Sequence, residues 1–243
     1  MLLLSASGWF VYKAFGPFPS GAEPRLYRVT QLVRAADDGF ARTENSPVLI
    51  RLSRGEKELS WSVTVYDQSG KPNRIPGTVS AMMIPNWAYV ADLNRDRQAD
   101  YIVEMFSGGN GIPASDVVFI VSSGKAFEAT TFRSYAPSED DYVDLLQDGR
   151  FQYIQPMFVF SYAKGRDGKA HNYWVYNIYS LDGSSFSLQN DMSPGFPKWV
   201  MYAGRTNHKA TEQLTEEQKR EAWHSREQCV MWKPDDPCAV AFR

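Results

Sequence analysis

Asp92-Leu93-Asn94-Arg95-Asp96-Arg97-Gln98-Ala99-Asp100-Tyr101-Ile102 returns 52 residues later as Asp144-Leu145-Leu146-Gln147-Asp148-Gly149-Arg150-Phe151-Gln152-Tyr153-Ile154. The two stretches are identical at their first, second, fifth, tenth and eleventh positions. Self-similarity at a fixed offset marks a chain built from repeated supersecondary units. Downstream, Ser123-Gly124-Lys125-Ala126-Phe127 parallels Asp182-Gly183-Ser184-Ser185-Phe186, with a few extra residues in between. Each unit reads loop, strand, linker, strand, turn, strand. That is the content of one antiparallel module the size of a propeller blade. Two copies do not close a propeller, so the rest of the sheet must come from residues 25–90, where no third copy can be traced.

The flanking sequence supports a mostly β chain with antiparallel sheet repeats, propeller-like or of a related β architecture. Leu59-Ser60-Trp61-Ser62-Val63-Thr64-Val65-Tyr66 runs into Asp67-Gln68-Ser69-Gly70. Asp116-Val117-Val118-Phe119-Ile120-Val121 and Asn172-Tyr173-Trp174-Val175-Tyr176-Asn177-Ile178-Tyr179 also end in turn residues. β-branched and aromatic side chains suit a pleated, half-buried surface. The 17 glycines and 14 prolines recur too often for long helices.

The first repeat carries oxygen-bearing side chains at its first, third, fifth and ninth positions: Asp92, Asn94, Asp96 and Asp100. The backbone carbonyl of Gln98 can fill the seventh. Hard divalent cations take roughly six to eight oxygens at 2.3–2.6 Å, and a curled loop can point alternate side chains at one centre. Three close carboxylates repel one another without a cation. Calcium suits such a loop better than magnesium, which demands a rigid octahedron. No His or Cys stands nearby to suggest zinc. The bland reading is a solvated acidic turn between two strands.

These residues resemble the D-x-[DN]-x-D-G-x-x-D loop of FG-GAP and VCBS-type repeats, found in integrin-like β-propellers and in bacterial exported proteins. The resemblance implies a rigid calcium-bound scaffold, with Asp92, Asn94, Asp96, Gln98 and Asp100 as ligands, whose loops engage a protein or a glycan. Two departures stand out. Arg97 occupies the position where the family usually has Gly. The second copy keeps that residue as Gly149 but has Leu146 and Gln152 at ligand positions, and reads as a relic that no longer binds metal.

The ends of the chain carry other signals. Residues 1–22 hold a short apolar run, MLLLSASGWFVY, and the small residues Ser20-Gly21-Ala22. They read as a secretory signal or an N-terminal anchor, although no Lys or Arg precedes the run. Residues 23–206 read as the β-rich repeat domain. Residues 207–243 read as a C-terminal surface helix, opened by the capping pattern Thr215-Glu216-Glu217-Gln218, and a tail. Cys229 and Cys238 flank a proline-containing turn and can pair as a disulfide in an oxidising compartment; two free thiols are the alternative.

Other motifs carry less. Ser107-Gly108-Gly109-Asn110-Gly111 is Gly-rich but lacks the Lys-Ser/Thr of a phosphate loop, and Ile112-Pro113 follows it. His171, His208 and His224 fit no paired-ligand spacing. Glu104, Glu139, Asp140, Asp141 and Asp235 could supply the carboxylate pair of a glycoside hydrolase. Tyr153, Phe158, Phe160, Tyr162, Tyr173, Trp174, Tyr176 and Tyr179 must divide between the two faces of a sheet, one filling the core and the other free for recognition.

Composition narrows the functional classes. Among 243 residues, 26 basic against 28 acidic side chains leave a net charge of -2, which argues against nucleic acid as a partner. With 43% hydrophobic residues the chain folds around a core. The expectation is a periplasmic or secreted calcium-binding scaffold that binds a protein or glycan without catalysis. Inhibition of, or immunity to, a cell-envelope-degrading enzyme is its specific form. The alternative is a carbohydrate-active hydrolase with a structural calcium ion.

Overall fold

The computed structural model describes residues 25–34, 39–42, 47–55, 60–75, 79–80, 84–106, 114–124, 126–135, 137–144, 147–164, 170–189 and 199–202. They form antiparallel strands in two sheets, with a single 3-10 turn at Glu139–Asp141 and no α-helix among the described residues.

The larger sheet contains β2 (Thr30–Arg34), β3 (Gly39–Ala41), β4 (Ile50–Arg54), β5 (Ser60–Tyr66), β6 (Pro72–Arg74) and β7 (Val79–Ser80). It continues through β8 (Ile84–Ala91), β9 (Asp100–Phe106), β10 (Ala114–Ser122) and β11 (Phe127–Tyr135). Strand order is β11-β10-β9-β8-β2-β3-β4-β5-β6, with β7 on β5, and the sheet curls into a half-barrel. The smaller sheet begins with β1 (Arg25–Leu26) and takes β12 (Tyr142–Asp144), β13 (Gln152–Lys164), β14 (Ala170–Asp182), β15 (Ser185–Leu188) and β16 (Trp199–Tyr202).

Three four-stranded meanders are embedded in this order: β3–β6, β8–β11 and β12–β15. The last two are the units seen in the sequence. Their first hairpins share one register: Ala91 pairs Asp100, and Val143 pairs Gln152. The pair Val90 and Tyr101 likewise has its counterpart 52 positions on, in Tyr142 and Tyr153. The final turn of each meander holds a glycine with positive φ: Gly70 (80°), Gly124 (83°) and Gly183 (58°). Only glycine enters that region without steric cost. In the first of these turns, Asp67 Oδ1 accepts from the Ser69 and Lys71 amides at 2.9 Å, which closes the chain locally.

The curl creates two cores. Inside the half-barrel lie Leu32, Phe40, Ile50, Leu52, Trp61, Val63, Val65, Val103, Met105, Val118 and Ile120. On the outer face of β8–β11, Tyr89, Ile102, Phe119, Val121 and Phe132 meet Tyr142, Phe151, Tyr153, Tyr179 and Leu181 of the smaller sheet. β10 is therefore covered on both faces, and Val117–Val121 reads as an unbroken apolar run because neither face meets water.

The expectation of a mostly β, antiparallel chain holds. Its arrangement among the described residues is a half-barrel with a covering sheet. The signal or anchor at 1–22, the Gly-rich segment at 107–111, the C-terminal helix and the Cys229–Cys238 pair lie outside the described residues.

Candidate metal site

The loop from Asp92 to Gln98 joins β8 to β9 at one end of the sheet. Its curl is fixed by its own side chains. Asp92 Oδ2 accepts from the Arg97 amide at 3.0 Å, Asn94 Oδ1 from the Asp96 amide at 3.1 Å, and Asp96 Oδ1 from the Gln98 amide at 2.7 Å. Short polar side chains that bond their own backbone two or more residues on are what make such a turn possible. Arg95 and Arg97 take positive φ, 65° and 68°, the second at the position that Gly149 holds in the second copy. Each non-glycine residue there costs about 1–2 kcal/mol, so the surrounding hydrogen bonds must hold it.

Asp100 braces the loop from below. Its Oδ2 accepts from the amides of Leu93 at 2.7 Å and Asn94 at 3.4 Å, and its Oδ1 from the Ser122 amide at 2.8 Å. Burial pushes its carboxyl up to about 6, against the pull of these three donors. Asp96 reaches across to the end of β10, where the Ser122 hydroxyl donates to its Oδ2. The Asn94 amide bonds the Ser122 carbonyl at 2.8 Å, and the Gln98 amide bonds the Gly124 carbonyl at 3.1 Å.

One atom is left over. Asp92 Oδ1 is buried and accepts no hydrogen bond from the described residues. An unpaired buried carboxylate oxygen costs about 1–3 kcal/mol or more.

The structure thus brings Asp92, Asn94, Asp96 and Gln98 onto one tight loop. It turns Asp100 toward the backbone. No group of three or more His, Cys, Asp or Glu side chains among the described residues is arranged to hold a metal ion. In donor chemistry alone the loop offers oxygens of the kind a hard cation takes, namely the orphan oxygen of Asp92, the Asp96 carboxylate, Asn94 Oδ1 and the Gln98 carbonyl.

The described residues of the second loop repeat features of the first. Gln147 and Gly149 carry positive φ, 55° and 83°, at the positions of Arg95 and Arg97. Asp144 Oδ2 accepts from the Gly149 amide at 2.8 Å, and Asp148 Oδ1 from the Arg150 amide at 2.9 Å. Asp144 Oδ1 is buried without a hydrogen-bond partner, like its counterpart in Asp92. The sequence alone did not show that the two loops touch. Arg95 Nη2 donates to the Asp148 carbonyl at 3.0 Å. Tyr27 completes the junction, since its hydroxyl donates to the Asp92 carbonyl at 2.7 Å. Burial first, and then the charges of Asp92, Asp100 and Asp144, raise the Tyr27 phenol against the opposing pull of Arg95.

A second polar site lies deeper in the sheet interface. Glu104 is buried on β9, and the Tyr142 hydroxyl donates to its Oε1 at 2.6 Å. Burial pushes the Glu104 carboxyl up to about 7, the hydrogen bond opposes that, and Glu139 adds a smaller upward push. Its cross-strand neighbour Trp87 is solvent-exposed. Of the other acidic candidates, Asp141 is buried and accepts from the Ser138 amide at 2.8 Å. Of the aromatic candidates, Tyr153 and Tyr179 are core residues.

Comparison of the chain with protein-family models, curated proteins and solved structures finds no match.

Proposed function

We propose that the chain is an exported calcium-binding β scaffold that acts as a non-enzymatic binding module, with the loop at 92–100 holding one Ca²⁺. The observation that carries this reading is the buried Oδ1 of Asp92, which accepts no hydrogen bond from the described residues, on a loop that also presents Asn94 and Asp96, whereas the second loop, with the same orphan at Asp144, has Leu146 in place of Asn94. Asp92, Asn94, Asp96 and the Gln98 carbonyl would hold the ion, and Asp100 would hold the loop. Bound calcium supplies positive charge that relieves carboxylate repulsion. At calcium concentrations ten times the Kd the stabilisation is about 1.4 kcal/mol, a structural contribution. The protein or glycan partner and the inhibitor or immunity role come from the sequence resemblance, and the periplasmic or secreted setting from the signal-like run at 1–22 and the pair Cys229 and Cys238.

Calorimetric titration of Ca²⁺ into the chelator-stripped chain tests the site. Binding of one ion is expected, with a melting temperature that falls in EGTA and with Asp92→Asn weakening both effects. No binding heat and no change in melting temperature would remove the reading.

A specific observation favours a second reading, a carbohydrate-active hydrolase. Glu104 is a buried carboxyl raised to about 7, within electrostatic reach of Glu139. A carboxylic acid protonated near neutrality is what a general acid needs. Hydrolysis of a glycan panel that disappears in Glu104→Gln would select this reading over the first.

A further inference from the structure

We infer that Glu104 and Tyr142 form a proton-dependent clasp between the two sheets, closed while Glu104 carries its proton and loosened when the carboxyl ionises. The clasp needs neither an ion nor a substrate and stands apart from both functional readings.

Glu104 points out of the half-barrel. On β9, Val103 and Met105 belong to the core inside the half-barrel, whereas Ile102 belongs to the core between the sheets. Alternation along the strand places Glu104 on the face of Ile102. Tyr89, Val117, Phe119 and Phe132 line the rest of that face. Glu104 is buried there, and the fully buried Tyr142 of β12 donates to its Oε1 at 2.6 Å. One hydrogen bond thus joins a carboxyl of the large sheet to a hydroxyl of the small one. Trp87, directly opposite Glu104 across the β8–β9 pair, is exposed. The carboxyl therefore lies at the rim of the interface, where a proton can reach it.

The groups around Glu104 do not compensate a charge on it. Tyr89 comes from β8, Tyr142 from β12, Tyr153 from β13 and Glu139 from the 3-10 turn. Burial raises all three phenols, so they stay neutral. Glu139 is exposed and repels the charged form, and Asp141 on the same turn acts on Tyr153. β10 places Val117 opposite Glu104, while its Asp116, paired with Arg133 of β11, alternates to the other face. Burial first, and then Glu139, push the Glu104 carboxyl up to about 7 against the pull of Tyr142. An ionised carboxyl here favours release of the covering sheet, because release returns the charge to water. Tyr153 and Ser134, 2.5 Å apart, and the Gln155 amide with the Arg133 carbonyl, 2.6 Å apart, also bridge the sheets, but through uncharged groups. Asp100, raised to about 6, bonds amides of its own sheet. The core inside the half-barrel draws its described side chains from outside the smaller sheet, so it can persist when that sheet lifts.

Hydrogen exchange of the full chain in EGTA tests the clasp, with protection factors removing the intrinsic pH dependence of exchange. A carboxyl that titrates at about 7 when docked and at 4.5 when released shifts the opening equilibrium on the order of 50-fold between about pH 5 and about pH 8. Protection in β12–β15 is expected to fall by that factor at the higher pH, while protection in β3–β6 changes much less. Glu104→Gln keeps an acceptor for Tyr142 and is expected to abolish the fall. Tyr142→Phe removes the donor that favours the charged form and is expected to carry the fall to higher pH. Equal falls in β12–β15 and β3–β6 would overturn the clasp, since the response would belong to the whole fold. A fall in β12–β15 that survives in Glu104→Gln would overturn it and assign the response to another carboxyl, such as Asp100. Constant protection in β12–β15 across this range would overturn it as well.

Discussion

Arg95 and Gly149 occupy one another's space. The guanidinium of the first hairpin loop lies so close to the Gly149 α-carbon of the second that a methyl group there would meet Nη2 at 1.4 Å. The contact joins two corresponding loops: Arg97, the counterpart of Gly149, stands in the same left-handed backbone region. The repeat has thus diverged in side chains while keeping its left-handed turn positions. The first copy uses an arginine where the second keeps the glycine, and Arg95 exploits the space that the glycine leaves.

Gly149→Ala should therefore cost more than its backbone alone. The alanine must adopt φ 83°, at about 1–2 kcal/mol, and must also displace Arg95 from the Asp148 carbonyl. A single neutral or charge-assisted hydrogen bond adds about 1–2 kcal/mol. Gly70→Ala supplies the reference, because Gly70 has φ 80° and nothing near its missing Cβ. Because Arg95 is exposed and flexible, urea denaturation should show Gly149→Ala to be the less stable variant by about 0.5–1 kcal/mol. Equal losses would mean that the Arg95 contact contributes nothing.

Asp100 is buried and accepts from three amides, whereas Asp96 is exposed. Asp100→Ala leaves the Leu93 and Ser122 amides without their acceptor in a dry site. A loss of about 3–5 kcal/mol is expected from equilibrium unfolding in EGTA. Asp96→Ala, measured under the same metal-free conditions, should cost about 1 kcal/mol, because water can replace its contacts. The opposite ranking would show that the brace has been misplaced.

Much of this was legible in the sequence, and the reason is periodicity. Asp and Tyr-Ile recur at one spacing, and several have a clear job: Asp92 and Asp144 cap the loop, Ile102 and Tyr153 fill the interface, and Ile154 is buried. Alternation located β5 at Ser60–Tyr66, and the turn chemistry of Asp67–Gly70 ended it. The third meander, β3–β6, was missed because it has no acidic loop to announce it. The signal it does share is subtler, a positive-φ glycine in the last turn, at Gly70, Gly124 and Gly183. Tertiary partners were illegible. Nothing in the spacing of Tyr27 or Arg95 says which loop it will meet, since each closes a distance of more than 50 residues along the chain. The second loop, read as a relic from Leu146 and Gln152, keeps left-handed residues at Gln147 and Gly149, and Asp144 and Asp148 still accept the turn amides of Gly149 and Arg150.

Glu104 gives the chain a pH dependence whose sign is fixed. Its carboxyl moves from an ordinary value of 4.5 up to about 7 on folding, so the folded state holds the proton more tightly. The associated stability is complete below about pH 4.5, declines as pH rises, and is lost by about pH 7. Its size is on the order of 3 kcal/mol. Around it stand Tyr142, which donates to it, and Glu139, which repels its charged form; Tyr89 lies within the same electrostatic reach. Glu104→Gln keeps an acceptor for Tyr142 and removes the titration. The stability difference between wild type and this variant should therefore vary across pH 4.5–7. A constant difference over that window would mean that Glu104 is ionised throughout.

Phe119 holds the two sheets together. It is fully buried on β10, and its ring centroid lies 4.9 Å from those of Tyr153 and Phe186, and 5.7 Å from those of Phe132 and Phe151. Its neighbours come from the large sheet, from two strands of the small one and from the second loop, so no single element can move in to fill a void. Tilted and edge-on aromatic pairs add to the area they bury. Phe119→Ala should cost about 3–5 kcal/mol in urea denaturation, the range for a large cavity that cannot collapse. Phe106→Ala, on β9 but solvent-exposed, should stay within about 0.5 kcal/mol of wild type. Because Phe119 sits at the interface and not inside the half-barrel, its loss should speed hydrogen exchange in β12–β15 more than in β3–β6. A uniform increase across both would show that the two cores unfold as one unit.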